Sequence, residues 1–355
     1  MKKHNFSAGP SILPKDVFTK SSKSVLELDN IGLSVLEISH RSKEFVSIME
    51  NARSLAIELL GLNSEEYTTL FLQGGASMQF LMVAYNFLEK KASYIDTGAW
   101  STKAIKEAKL FGEVDVLASS KDSNFNYIPK DYVIPTESDY LHITTNNTIF
   151  GTQFSGAPDT DCHVFADMSS DIFSRNIDYS KFSLIYAGAQ KNIGPAGLTM
   201  VIIKKDLMEL ENENLPNILR YSKHSESDSM LNTPPTFAWY MAGKVFKWIK
   251  QSGGLEFFKE QNHLKASTLY NYIDNSDFYS NPVKIENRSI MNVPFILADN
   301  DLDSVFLKES EDNGLLNLKG HRSVGGMRAS IYNAMPLEGI NELVDFMKVF
   351  EAKYG

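Results

Sequence analysis

"SLIYAGAQKNIGPAGLTMVII", residues 183–203, decides how this chain is read. It holds two short apolar runs, "SLIYA" (183–187) and "TMVII" (199–203), with a stretch of small residues and a single lysine between them. Each run is apolar at consecutive positions rather than alternate ones, the pattern of a strand buried on both faces of a sheet. Lys191 follows the first run and has few side chains nearby in sequence to pair with. A surface lysine needs no such setting. An amine that must shed its proton does, because burial disfavours the charged form.

Working outward, the same kind of run recurs at "YTTLFL" (67–72), "SYID" (93–96), "VDVLA" (114–118), "YLHIT" (140–144) and "HVFAD" (163–167). Helix-length stretches such as "ASMQFLMVAYNFLEKK" separate some of them. Strands alternating with helices predict a doubly wound α/β domain over residues 15–250, with a mostly parallel seven-stranded sheet. Residues 1–14 form an N-terminal arm. "FAWYMAGKVFKWIKQSGG" (237–254) reads as a helix that stops at its glycine pair. Beyond it, residues 251–355 predict a smaller α+β domain. Its last helix starts at Pro336 and turns Leu337, Ile340, Val344, Met347 and Val349/Phe350 to the core.

With 355 residues the chain has room for two domains and a large core. A net charge of −9 argues against nucleic acid or an anionic membrane as the main partner, although a local cationic cluster can still take a small anion. The lone Cys162 forbids an internal disulfide and fits a reducing compartment. No run approaches the ~18 apolar residues of a membrane span. The start, "MKKHNFSAGPSILP", lacks the apolar region of a signal peptide. These features predict a cytoplasmic enzyme, and no metal-ligand set is read from the sequence.

Ligands of such sheets sit at the carboxyl ends of strands. Lys191 is at one such end and, if neutral, could attack a carbonyl. Asp167 ends "HVFAD" at another; alone it could be a helix cap. Facing a ring nitrogen about 4 Å away, its carboxylate would gain roughly 4 kcal/mol at an effective dielectric near 20, about three pKa units. A lysine and an aspartate so placed meet the demand of pyridoxal 5′-phosphate chemistry. "FLQGGASMQF" (71–80) runs from a strand through Gly74-Gly75 into a helix, where free N–H groups and the hydroxyl of Ser77 could hold a phosphate. Neither GxxxxGK[ST] nor GxGxxG is present. Trp100 in "YIDTGAWS" could stack on a flat ring, and Thr148 in "TTNNTIFG" offers a hydroxyl. The pairs His40-Arg41 and His321-Arg322, with Arg328, would suit a substrate bearing an α-carboxylate and a distal dianion.

Together these stretches resemble the class V aminotransferases, of the fold type I pyridoxal phosphate enzymes, and among them those that act on phosphoserine. The likeness runs from "NFSAGP" through "SHRSKEF", "GGASMQF", "DTGAW", "IYAGAQKNIGPAGLT" and "NTPPTFAWY" to "KGHRSVGGMRASIYNAMP". The resemblance implies a homodimer with shared active sites and a ping-pong exchange. Glutamate and 3-phosphohydroxypyruvate would give 2-oxoglutarate and phosphoserine, with phosphohydroxythreonine of pyridoxine synthesis as a second substrate. It also implies roles. Lys191 would carry the cofactor as a Schiff base and shuttle the proton. Asp167 would pair with the pyridinium nitrogen, and Trp100 would stack on the ring. Ala76, Ser77 and Gln190 would hold the phosphate, joined by Asn232 and Thr233 from the other subunit, and Thr148 would contact the region of the ring oxygen. Arg328 would take the α-carboxylate. His40 and Arg41, with His321 and Arg322 from the partner, would take the distal anion. Ala76-Ser77 stands where some members have Gly-Arg, and Asn147 where an acid is common. Alternatives are another class V enzyme of the serine–glyoxylate type, a cysteine desulfurase, which lone Cys162 beside a strand fits poorly, and a non-catalytic phosphate- or nucleotide-binding protein.

Overall fold

The computed structural model describes residues 2–355. The chain opens on a two-residue strand, β1 (His4–Asn5), which pairs in parallel with Leu315–Leu316 far down the sequence. Helices α1 (Lys15–Leu26) and α2 (Lys43–Leu59) follow, the second capped by the Ser42 side chain, which accepts from Phe45 N. Next come β2 (Tyr67–Leu72), α3 (Gly75–Phe87), β3 (Lys91–Asp96), α4 (Ala99–Ala108) and β4 (Glu113–Ser119). Then β5 (Leu141–Thr144), β6 (Val164–Asp167), β7 (Leu184–Gly188) and β8 (Thr199–Lys204) complete a seven-stranded sheet of order β2-β8-β7-β6-β5-β3-β4. Only β8 runs against its neighbours. All seven expected strands are present.

The consecutive apolar positions have a direct cause. Phe71, Ile95, Ile143, Ala166, Ile185 and Ile202 face one core, shared with α1 and α2. Leu70, Tyr94, Phe165, Tyr186, Val201 and Ile203 face a second core, shared with α3 and α4. Every second residue of a strand therefore meets a different helical layer. The edge strand β4 is the exception, being half-exposed along its length.

The short helix α5 (Tyr221–Glu226) leads to α6 (Thr236–Gln251), which packs on α2. The glycine pair ends α6, but it does not end the helical region. Gly253 and Gly254 take φ of +114° and +69°, and a further helix, α7 (Gly254–Asp274), starts at once. The sequence reading did not anticipate α7. Strand β9 (Tyr279–Ser280), β10 (Asn292–Leu297), α8 (Asp303–Asp312), β11 (Leu315–Leu316), β12 (Met327–Ser330) and α9 (Leu337–Tyr354) complete the chain. β10 lies antiparallel between β12 and β9. The third core gathers Leu269, Phe295, Phe306, Met347 and Phe350, and takes in Phe6 from the N-terminal arm. In α9, Ile340, Val344, Met347 and Phe350 are buried, whereas Val349 is 68% exposed. One residue is a 100° turn of a helix, so Val349 and Phe350 cannot share a face. No helix among the described residues is long and apolar enough to cross a membrane.

Candidate active site

Strand β7 ends at Gly188, and a tight turn follows in which Ile193 N and Gly194 N donate to Ala189 O at 3.2 and 2.8 Å. A Cβ on Gly188 would stand 2.7 Å from the Gln190 side-chain oxygen, so a larger residue here would push that side chain aside. Lys191 sits in this turn and is 9% exposed. Its Nζ donates to Thr148 Oγ1 at 2.6 Å, on the loop after β5. Burial pulls the amine down to about 8; Arg328 adds to that, while Asp167 and Asp171 oppose it. The N-terminal arm braces the turn: Ser11 Oγ donates to Lys191 O at 2.6 Å and Ser11 N to Gln190 O at 2.9 Å.

Asp167 closes β6 beside Tyr186 of β7 and is buried. Ser169 N donates to its Oδ1 at 2.9 Å. Burial raises its carboxyl above the usual range, against the hydrogen bonds from Ser169 and the charge of Lys191. A second buried carboxylate, Asp171, is neutralised by Arg175 at 3.0 Å and takes Thr145 Oγ1 at 2.5 Å. Among the described residues no cation ion-pairs with Asp167. It is a buried carboxyl left without a cationic partner.

At the far side, Gly74 and Gly75 both adopt left-handed φ and launch α3. No side chain caps this helix and no acid stands in its first turn. The N–H groups of Ala76 and Ser77 therefore face outward with no acceptor. Ser77 is exposed, and Gln190 and Ala76 are half-buried. Gln73 Nε2 donates to Thr233 O at 3.0 Å, which ties the exposed Asn232-Thr233 loop to the same corner. At the start of α4, Ser101 Oγ accepts from Thr97 N and Gly98 N, each at 2.9 Å. Gly98 leaves room for Asn147, whose amide bonds Thr97 O and Thr152 Oγ1. Asn147 is thus a structural tie at this corner. Trp100 is half-buried, and its Nε1 is enclosed without a partner.

Arg328 reaches in from β12. Its Nη1 donates to Thr148 O at 3.2 Å, while its Nε is enclosed without a partner. Burial lowers its proton affinity. His321 is held by Ser323 Oγ at 2.7 Å, and Val324 of the same loop packs on the group of Trp100, Phe125 and Phe150. Burial first, then Arg328, Arg322 and Lys103 of the same chain, lower the His321 imidazole. Arg322 is exposed, and so is Arg41; His40 is half-buried. The chain thus joins Lys191, Thr148 and Arg328 by direct contacts, with Asp167 close by. No hydrogen bond or ion pair connects His40, Arg41, Asn232 or Thr233 to that group. Asp171, Arg175, Ser169 and Lys103 were not foreseen. Asp171 and Arg175 lie in a turn with Phe173 at φ +60°, not in a helix, so their spacing in "DIFSR" carried no readable signal.

Residues 3–343 match the Aminotransferase class-V family. A phosphoserine aminotransferase of Flavobacterium johnsoniae is 54% identical over 355 residues, covering 99% of this chain and 100% of that relative. The phosphoserine aminotransferase of Bacteroides fragilis is 51% identical over 353 residues, 99% of each. Among solved structures, phosphoserine aminotransferase from Bacillus circulans subsp. alkalophilus superposes with a TM-score of 0.97 at 45% identity, covering 100% of this chain and 99% of its own. The pyridoxal phosphate-bound phosphoserine aminotransferase of Trichomonas vaginalis gives 0.93 at 36% identity, over 98% and 100%.

Proposed function

The chain belongs to the class-V aminotransferase family, and from that premise we propose that it moves an amino group between glutamate and 3-phosphohydroxypyruvate, giving phosphoserine and 2-oxoglutarate. One observation carries the reading: a buried amine with a pKa of about 8 and an unpaired buried carboxyl stand at the ends of neighbouring strands β7 and β6, and the Arg328 guanidinium of β12, with an unused N–H, reaches Thr148, the lysine's own partner. The residues fit pyridoxal phosphate. Asp167 lacks a cation, Trp100 offers a ring, and the uncapped start of α3 offers N–H groups to a phosphate, with Ser77 and Gln190 beside it.

When bound, the cofactor supplies an aldehyde for amine exchange and a ring that takes up the electron pair left at the substrate Cα. Lys191 Nζ, oriented by Thr148 Oγ1, removes the Cα proton; an amine with a pKa of about 8 is part neutral at physiological pH and keeps enough basicity to act. Asp167 would keep a ring nitrogen of the bound cofactor protonated. Arg328, fixed by one N–H on Thr148 O, turns its remaining donors to the α-carboxylate. His321 and Arg322, with His40 and Arg41, take the distal anion.

The protein is read as a cytoplasmic homodimer. The segment around His40 and Arg41 exposes Ile31, Leu33, Leu36 and Val46, and a groove of about 840 Å³ beside it mixes Leu28, Ile48 and Leu55 with Glu44, Glu58 and Lys247. That face supports contact with a second copy, which would bring His321, Arg322, Asn232 and Thr233 to the neighbouring site.

The test is Lys191→Ala. Borohydride fixes the cofactor to the wild-type chain at Lys191; the variant shows no fixation and no detectable transamination. Retained turnover, or equal wild-type rates on serine and phosphoserine, overturns the reading.

A further inference from the structure

One cation of the site has no role so far. Lys103 lies on α4 three residues after Trp100, and its Nζ stands 4.2 Å from the centre of the Trp100 ring. It is close enough to His321 to lower that imidazole, together with Arg328 and Arg322. Val324 packs the His321 loop against the Trp100 group, so Lys103, Arg322, Arg328 and the His321 imidazole border one corner of the molecule. Among the described residues, none of the four forms an ion pair. Like charges gathered without counter-ions repel one another, and an arriving anion relieves that repulsion.

Resting on the reading above, we propose that Lys103 is a specificity-determining residue of the distal anion site and reads the second negative charge that separates a phosphate monoester from a carboxylate. A phosphate ester carries about −1.5 to −2 at neutral pH and a glutamate side chain one charge. The arginine forks can serve either anion bidentately. A lysine is a point charge on a flexible stem, so it adds attraction that scales with ligand charge rather than with planar geometry. The Trp100 face holds that charge near the site in the absence of a carboxylate partner.

The experiment uses the holoenzyme with Lys103→Met and Lys103→Arg. Lys103→Met loses about tenfold in kcat/KM for phosphoserine and less than about threefold for glutamate, the loss of one charge-assisted contact to the dianion. Competitive inhibition by inorganic phosphate weakens by a similar factor, cofactor retention and its absorption spectrum stay as in wild type, and Lys103→Arg restores most of the loss. Equal losses on both substrates overturn the proposal. So does weakened cofactor retention with unchanged phosphate inhibition, which would leave Lys103 as packing for Trp100 only. If wild-type protein fails to turn over phosphoserine, the parent reading falls. If wild type works and Lys103→Met matches it, only the role of Lys103 falls.

Discussion

Asp167 and Asp171 are both buried in one turn of chain, yet Arg175 neutralises only Asp171. That division separates a structural acid from a chemical one. Asp167 raises the proton affinity of the Lys191 amine, so removing its charge must lower the amine further. Asp167→Asn is expected to move the Lys191 titration below about 8. Carbon-13 NMR of the lysine ε-carbon in cofactor-free protein would follow it. With cofactor present, turnover should fall by roughly three powers of ten, the worth of about 4 kcal/mol between a carboxylate and a nearby cation. An unmoved titration with full turnover would contradict the role given to Asp167. Lys191 and Asp167 were legible in the sequence because Asp167 ends one doubly buried strand and Lys191 stands just beyond another, where side chains emerge at a ligand site. Lys103 was not legible, since its neighbours Arg322 and His321 come from more than two hundred residues away.

At the level of elements, the sheet strands could be read because helical layers cover both faces of all but the edge strand β4, and apolar residues stand at consecutive positions in most of them. Helix α7 could not, and its buried stripe shows why. Asn262 and Lys265 stand among Leu255, Phe258, Ala266, Leu269 and Ile273, so the apolar period is broken by polar residues facing inward. Lys265 Nζ donates to Ile331 O at 2.9 Å and Tyr332 O at 2.8 Å, where the chain leaves β12, and burial pulls its pKa to about 7. This bears on stability. Between pH 7 and the unfolded value of 10.5, the unfolded chain keeps a proton at Lys265 that the native protein has released. Stability from this site therefore rises with pH across that window, by up to about 1.4 kcal/mol per pH unit, and levels off below pH 7 where both states hold the proton. Urea unfolding at matched cofactor loading should show a steeper rise from pH 7 to 9 in wild type than in Lys265→Met. Parallel curves would mean that Lys265 stays charged in the folded protein.

The whole molecule raises the question of what one chain leaves unfinished. Asn232 and Thr233 are exposed and held only through Gln73 and the backbone, and no contact carries them to Lys191 of their own subunit. The sequence motif suggested a phosphate role, but a motif cannot say whose phosphate. If these residues complete the neighbour's site, a subunit with Lys191→Ala still lends a sound Asn232-Thr233 loop. A subunit with Asn232→Ala and Thr233→Ala still has a sound lysine. Each variant dimer alone has two defective sites. In a hybrid dimer one site collects both defects and the other collects neither. Random reassortment makes half the dimers hybrid, each with one intact site, so the mixture should recover about a quarter of wild-type activity when subunits exchange. Unmixed, Lys191→Ala is inactive and the loop variant is limited by weakened cofactor retention, which titration with pyridoxal phosphate would show. Sites built from a single chain would give no recovery beyond the sum of the separate variants, because no pairing could then unite an intact lysine with an intact loop.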